Sequence, residues 1–266
     1  MEIFQYTFFQ NALVGVIIVS VMSAMIGTYI ITRRMMFITG GVTHACFGGL
    51  GLGYYLGVSP ILMAGAFAVI SSLGVEWLTT RQRVREDSAI SVMWALGMAV
   101  GTLFIFLTPG YVPELNSFLF GNILTITKGD LIAFAVFTII FVTFFITCYR
   151  LIVACAFDPD FARTKGLPVA VINAVMTVAV AVCVVLTIRL IGIMLLMSLL
   201  SMPQMIAELF TGRLKPMIVL SITISIVCSV LGLICSYLLG VPASATIVLA
   251  LVACYILLRV MKKCNK

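Results

Sequence analysis

Residues 168–209 read PVAVINAVMTVAVAVCVVLTIRLIGIMLLMSLLSMPQMIAEL, and Arg189 and Glu208 are their only charged side chains. A helix needs about 20 apolar residues to cross a bilayer. This run therefore divides into two spans, 168–188 and 190–209, with Arg189 at the turn between them. A chain that carries such a pair is solvated by lipid and crosses the membrane repeatedly.

The remainder of the sequence has the same character. Of 266 residues, 63% are hydrophobic and 9% charged, and the mean hydropathy is +1.25. Soluble domains are about half apolar and about a quarter charged, so a water-soluble fold would have too few charges to cover its surface. Reading outward at the same span length gives further candidates at 9–31, 36–57, 60–80, 89–108, 129–149, 217–239 and 242–260. The expected fold is all-α and polytopic, a single transmembrane domain over 1–266 with eight or nine transmembrane helices. The Gly-rich second span and the seventh are the two least defined by composition. The first apolar run has no basic region before it and reads as a retained span rather than a cleaved signal.

The cysteines, eight in number, are scattered through apolar runs without Cys-x-x-Cys pairing, and they read as small buried hydrophobes. A net charge of +7 could suggest a nucleic-acid partner, but the basic residues fall in short clusters between spans. Arg33, Arg34, Arg81, Arg83, Arg85, Arg150, Arg163, Lys165, Arg213, Lys215, Arg259, Lys262, Lys263 and Lys266 all lie on one side of an alternating nine-span arrangement. The other side holds Lys128 and Arg189 with the turns at Gly57–Pro60, 109–117 and Gly240–Pro242. By the positive-inside rule the N-terminus lies outside and the C-terminus in the cytoplasm. The lysines and arginines thus mark cytoplasmic loops of a cell-membrane protein and not a nucleic-acid surface. No G-x-x-x-x-G-K-[ST] phosphate loop occurs. ATP, if used, is bound by another chain.

The second span carries the most unusual pattern. Gly41, Ala45, Gly49, Gly53 and Gly57 recur every fourth residue, a bare stripe along which another helix can approach closely. The adjacent stripe holds Gly40, His44 and Gly48. His44 is the chain's only histidine, about 12 Å into its span by the helical rise. An ionisable group at that depth reads as part of a pathway, and imidazole is a common metal ligand. The alternative is a neutral histidine hydrogen-bonding across a helix interface, with Thr43 doing the same. The residues alone leave both open.

Two cytoplasmic segments stand out. Glu86, Asp87 and Ser88 can cap the helix that follows them, or form part of a contact surface. Asp158 as N-cap, Pro159 at the first helical position and Gly166 beyond the end describe a helix of about two turns carrying Phe161 and Arg163. Such a helix is either an ordinary loop element or a place where a soluble motor applies force. Glu76 and Glu208 sit near cytoplasmic span ends and are expected to reach the interface. The methionines, fifteen in number, read as flexible packing rather than as soft metal ligands.

Together these segments resemble the permease subunit of the zinc/manganese/iron ABC transporter family. The likeness rests on Arg33-Arg34-Met35 through Thr43-His44, which is similar to a basic pair preceding Gly-Asp-Ala-x-Ser-His. It also rests on Arg85 to Ile90, on Leu119 to Leu124 with Asp130, on Asp158 to Gly166, and on Gly192 to Pro203 with Pro242 to Leu249. The resemblance covers nearly the whole chain and keeps the order of the motifs.

It implies a type II ABC importer permease with a fold like the cobalamin and siderophore importers. Two permease copies would work with a cytoplasmic ATP-binding subunit and an extracytoplasmic metal-binding protein, moving divalent zinc, manganese or iron. The chain itself would bind no cofactor and hydrolyse no ATP. His44 and Thr43 would line the metal pathway, and Asp158, Phe161, Arg163 and Gly166 would form the coupling helix. The sequence departs from the family pattern at Gly40, where the family has Asp, at Thr43 for Ser, and at Met202-Pro203-Gln204-Met205 for Leu-Pro-Ala-Ala. A secondary transporter is the rival reading. It would want carboxylates in mid-membrane as ion relays, and the sequence places almost none there. An intramembrane enzyme is disfavoured by the lack of any Ser/His/Asp or Glu-rich set within the spans.

Overall fold

The computed structural model describes residues 7–33, 35–109 and 126–264, which are helical, with no strand among them. In chain order the helices are α1 (Thr7–Thr32), α2 (Met36–Leu56), α3 (Pro60–Thr80), α4 (Glu86–Leu107) and α5 (Lys128–Thr147). Then follow α6 (Tyr149–Phe157), α7 (Pro159–Thr164), α8 (Val169–Glu208), α9 (Leu214–Leu239) and α10 (Ala243–Cys264). Leu119 to Leu124 and Arg34, quoted above, lie outside the described residues.

Seven of these helices are long and apolar enough to cross a membrane. The glycine-rich α2 is not among the seven, and α8 counts once although its 40 residues span about 60 Å at 1.5 Å per residue, roughly twice a hydrocarbon core. Two helical segments are joined in α8 at Gly192, whose φ of 78° and ψ of 170° belong to a region essentially restricted to glycine. The break thus falls just after Arg189 and not at it. Arg189 has no need of a turn, because its guanidinium pairs with Asp130 at 3.0 Å.

Two turns follow the same local chemistry. Gly57 ends α2 at φ 66°, with its N–H bonded to Tyr54 O and Val58 N–H to Gly53 O. That is a Schellman cap, and Pro60 then opens α3 at a position where its missing N–H costs nothing. Gly240 ends α9 at φ 64° with Val241 N–H on Ser236 O, ahead of Pro242 and α10. At α5 the cap is reciprocal. Thr127 Oγ1 accepts from Asp130 N–H at 3.2 Å and Asp130 Oδ2 accepts from Thr127 N–H at 3.4 Å, a capping box with Asp in the Glu position.

Two expectations change. Helix α4 begins at Glu86 behind an N-cap Arg85 that makes no side-chain cap bond. Glu86 and Asp87 therefore sit in the first turn, where they favour the helix dipole, and do not cap it. Between Arg150 and Leu167 the chain is more helical than expected, since α6 precedes α7 and buries Ile152, Cys155 and Ala156.

The chain divides into two compact units. One contains α1 up to Ile31, α5 up to Thr143, α8 from Thr187, and α9 and α10. Within it a Cβ on Gly232 would lie 2.6 Å from Ile247 Cα, so α9 and α10 touch backbone to backbone, and Thr246 Oγ1 donates to Gly232 O at 2.9 Å. The other unit contains α2, α3, α4, α6, α7, the end of α5 and α8 up to Leu186. It holds the candidate site.

Candidate functional site

In the second unit α2 is packed between α3 and α4, and its glycines set how close they come. A Cβ at Gly49 would lie 2.6 Å from Ala64 Cα, one at Gly53 2.7 Å from Pro60 Cα, and one at Gly51 2.8 Å from Gly101 Cα. At Gly41 an added Cβ would strike Ile90. The stripe read from sequence thus lies in tight contacts at Gly41, Gly49 and Gly53, and Gly48, Gly51, Gly97 and Gly101 extend it. Gly57 is the correction. A Cβ there meets nothing within 4 Å; its role is the left-handed cap, not packing.

From Ile38 to Gly51 every residue of α2 is buried except His44. Its imidazole stacks on the indole of Trp94 from α4, with ring centroids 4.3 Å apart and planes within 6°. Thr43 is fully buried and its hydroxyl donates to Thr39 O at 2.5 Å, so this side chain serves its own helix. Trp94 was not singled out from sequence, although a signal existed. His44 lies eight residues after Met36 and Trp94 eight after Glu86, equal depths in two helices that start from the same side. Among the described residues no three His, Cys, Asp or Glu side chains gather as a metal-holding group.

A second polar centre lies at the opening ends of these helices. Arg33 donates to Asn173 Oδ1 at 2.9 Å and to the Cys155 carbonyl at 3.5 Å. Asn173 also hydrogen-bonds Glu76, and Glu86 faces Arg33, Glu76 and Asp87. Glu76, one turn from the end of α3, is half-buried with Arg33 and Asn173 as its polar neighbours. One carboxylate oxygen of Glu86 is buried with no hydrogen-bond partner, and Arg33 is the one cation among the three charged groups it faces.

The short helix α7 takes the local form read from the sequence. Asp158 Oδ1 accepts from Phe161 N–H at 2.9 Å, Pro159 opens α7, and Leu167 N–H closes it on Ala162 O ahead of Gly166 at φ 72°. Ala162 is fully buried and anchors the turn, whereas Phe161 is 55% exposed. Arg163 pairs with Asp160 at 3.2 Å in the open, and Lys165 sits 5.5 Å over the Phe161 ring. Phe161, Arg163 and Lys165 thus form a compact exposed patch of one aromatic and two basic side chains.

Comparison with known proteins places the chain as a whole. Residues 5–262 match the ABC 3 transport family. An uncharacterized membrane protein of Synechocystis sp. is 36% identical over 253 residues, covering 95% of this chain and 90% of that protein. The manganese transport system membrane protein MntC of Listeria monocytogenes is 29% identical over 245 residues, covering 92% and 87%. Among solved structures, PsaBC from Streptococcus pneumoniae in complex with Fab matches with a TM-score of 0.84 at 26% identity, covering 97% of this chain and 92% of that one.

Proposed function

This chain belongs to the ABC 3 transport family, and from that premise we propose that it is the membrane-spanning permease of an ATP-driven importer of a divalent transition metal. It works as a dimer, with a separate cytoplasmic ATPase and an extracytoplasmic metal-binding protein. Manganese, zinc and iron are the candidate cargoes, and the name of the Listeria relative favours manganese. The observation that carries the reading is α7. It is a helix of six residues capped at its N-terminus by Asp158, too short and polar to serve the membrane, and it exposes Phe161. That is the shape of a contact by which a motor on another chain moves this one.

The rival, ion-gradient transport, is disfavoured by where the acids stand. Glu76, Glu86, Asp130 and Glu208 all lie within a turn or so of a helix end, and Glu76 and Glu86 face an arginine, so none is placed as a mid-membrane relay. The basic clusters support an outside N-terminus and a cytoplasmic C-terminus. Consistent with this, Lys262 in α10 donates to the Leu209 carbonyl beyond α8, keeping two expected cytoplasmic ends together.

The test is metal uptake by the reconstituted complex. Uptake that requires ATP and the copurifying ATPase, and falls in His44→Ala while the protein still inserts, is the expected result. ATP-independent uptake by this chain alone in liposomes overturns the reading.

A further inference from the structure

One nitrogen of Arg33, Nη1, donates both to Asn173 Oδ1 at 2.9 Å and to the Cys155 carbonyl at 3.5 Å. Arg33 lies between α1 and α2, whereas its two acceptors flank α7. Cys155 is in the last turn of α6 and Asn173 just past the first turn of α8, and both are buried. The Cys155 carbonyl is open to a side chain for a local reason. Its partner in a continuing helix would be the N–H four residues on, and that residue is Pro159, which has none. Arg33 supplies the missing hydrogen bond, and with it a positive charge at the C-terminal end of α6, where the helix dipole favours one.

The same guanidinium therefore holds both roots of α7. The short helix is closed on itself by the Asp158–Phe161 and Ala162–Leu167 bonds, so it moves as a unit with those roots. On the other side of Arg33, α2 begins three residues later at Met36. Backbone contacts at Gly49 and Gly51 then lock α2 to α3 and α4. A displacement of α7 that carries Cys155 and Asn173 pulls on the start of α2 through this one side chain.

A second seat for Arg33 stands at the first residue of α4. Glu86 has a buried carboxylate oxygen with no hydrogen-bond partner, and among the described residues no ion pair joins Arg33 to Glu86 or to Glu76. A long side chain between a filled seat and an unpartnered carboxylate oxygen has two discrete arrangements, which is what coupling between distant sites requires. We propose that Arg33 is the positioning residue that links α7 to α2. It sits on Asn173 and Cys155 in the state seen here, and on Glu86 when the permease opens to its other side. The proposal rests on reading the chain as an ATP-driven permease, and it assigns the residue through which α7 acts on the transmembrane helices.

The test uses the whole transporter in proteoliposomes, with ATP hydrolysis and metal uptake measured on the same preparation. Arg33→Gln should retain the copurifying ATPase, because the exposed face of α7 is untouched. It should hydrolyse ATP while the metal moved per ATP falls about 2- to 30-fold, the range found for residues that carry coupling without touching either ligand. Asn173→Leu and Glu86→Leu, which each remove one seat, should lower the ratio in the same range. Arg33→Lys keeps the charge and a donor but not the planar fork, and should recover part of it.

A parental ratio in Arg33→Gln, Asn173→Leu or Glu86→Leu overturns the proposal. So does loss of folded protein with an unchanged ratio in what remains, because that is a capping role alone. If Arg33→Gln is not recovered folded, the two seat variants decide in the same way. Failure of the permease reading looks different, since the parent itself then shows no ATP-dependent uptake. Hydrogen exchange of the chain in lipid nanodiscs tests the linkage by itself: Arg33→Lys should speed exchange in α7 and in the first turn of α2 together. Faster exchange in α7 with α2 unchanged overturns the link.

Discussion

The side-chain amide of Gln204 donates to the carbonyl of Leu199 at 3.2 Å, the acceptor that Pro203, lacking an N–H, leaves without its helical partner. The same nitrogen donates to Ser23 O on α1 at 3.0 Å. Beside it, a Cβ on Gly27 would lie 2.7 Å from Gln204 Cδ. Gln204 thus satisfies the carbonyl that Pro203 leaves open in α8 and ties that helix to α1, with its own carbonyl oxygen buried and unpartnered. Gln204→Leu should destabilise by about 1–3 kcal/mol by orphaning a buried carbonyl. Adding Pro203→Ala returns an N–H to Leu199 and should recover part of that loss, a coupling of about 0.5–3 kcal/mol. Thermal unfolding of the two single variants and the double variant in detergent reads the coupling, and strict additivity contradicts it.

The Arg33 cluster makes a second prediction. Arg33→Met leaves Glu76 and Glu86 facing each other without their shared cation. Removing one partner of a fully buried pair costs about 3–5 kcal/mol, and here the loss should be smaller because both carboxylates are only partly buried. Adding Glu86→Gln removes the repulsion and should raise the melting temperature above that of Arg33→Met alone. A double variant no more stable than the single one contradicts a charge role for the cluster.

What the sequence disclosed depended on whether the signal was local. The glycine stripe was legible because a missing side chain every fourth residue is a property of one helix, and its contacts with Ala64 and Pro60 follow. Gly57 belongs to the same arithmetic yet has a different role, since the sign of φ at a helix end is not written in spacing. His44 was legible by being unique. Its partner Trp94 needs the pairing of α2 with α4, which no single span reveals. Arg33 finds Asn173 across 140 residues of chain, so the cluster around Glu76 is not visible in any one span. Arg189 looked like a turn because its neutralising partner, Asp130, lies in another helix.

The two roles of the α2 glycines separate experimentally. Gly49→Ala places a Cβ 2.6 Å from the Ala64 backbone, which cannot move aside without parting α2 from α3. Gly57→Ala meets no atom within 4 Å and incurs only the left-handed conformation, about 1–3 kcal/mol. Gly49→Ala should lose folded protein on size-exclusion chromatography, whereas Gly57→Ala should run as the parent with a modestly lower melting temperature and keep metal uptake. The reverse ranking overturns the packing assignment.

Helix α7 allows its fold and its contact to be tested apart. Phe161 is more than half exposed, so Phe161→Ala should leave the melting temperature of the isolated chain unchanged while ATPase copurification is lost. Arg163→Ala should weaken copurification too, and it should also leave stability unchanged, because its ion pair with Asp160 is solvent-exposed and such pairs contribute little. Asp158→Ala acts through structure. It removes the acceptor of the Phe161 N–H, worth about 0.5–2 kcal/mol, and should loosen α7 and reduce copurification in proportion. Asp158→Asn keeps a capping oxygen and should retain most of the contact. Quantitative pull-down of the ATPase, with melting temperatures alongside, separates these effects. Phe161→Ala that binds the ATPase as well as the parent removes α7 from the coupling contact.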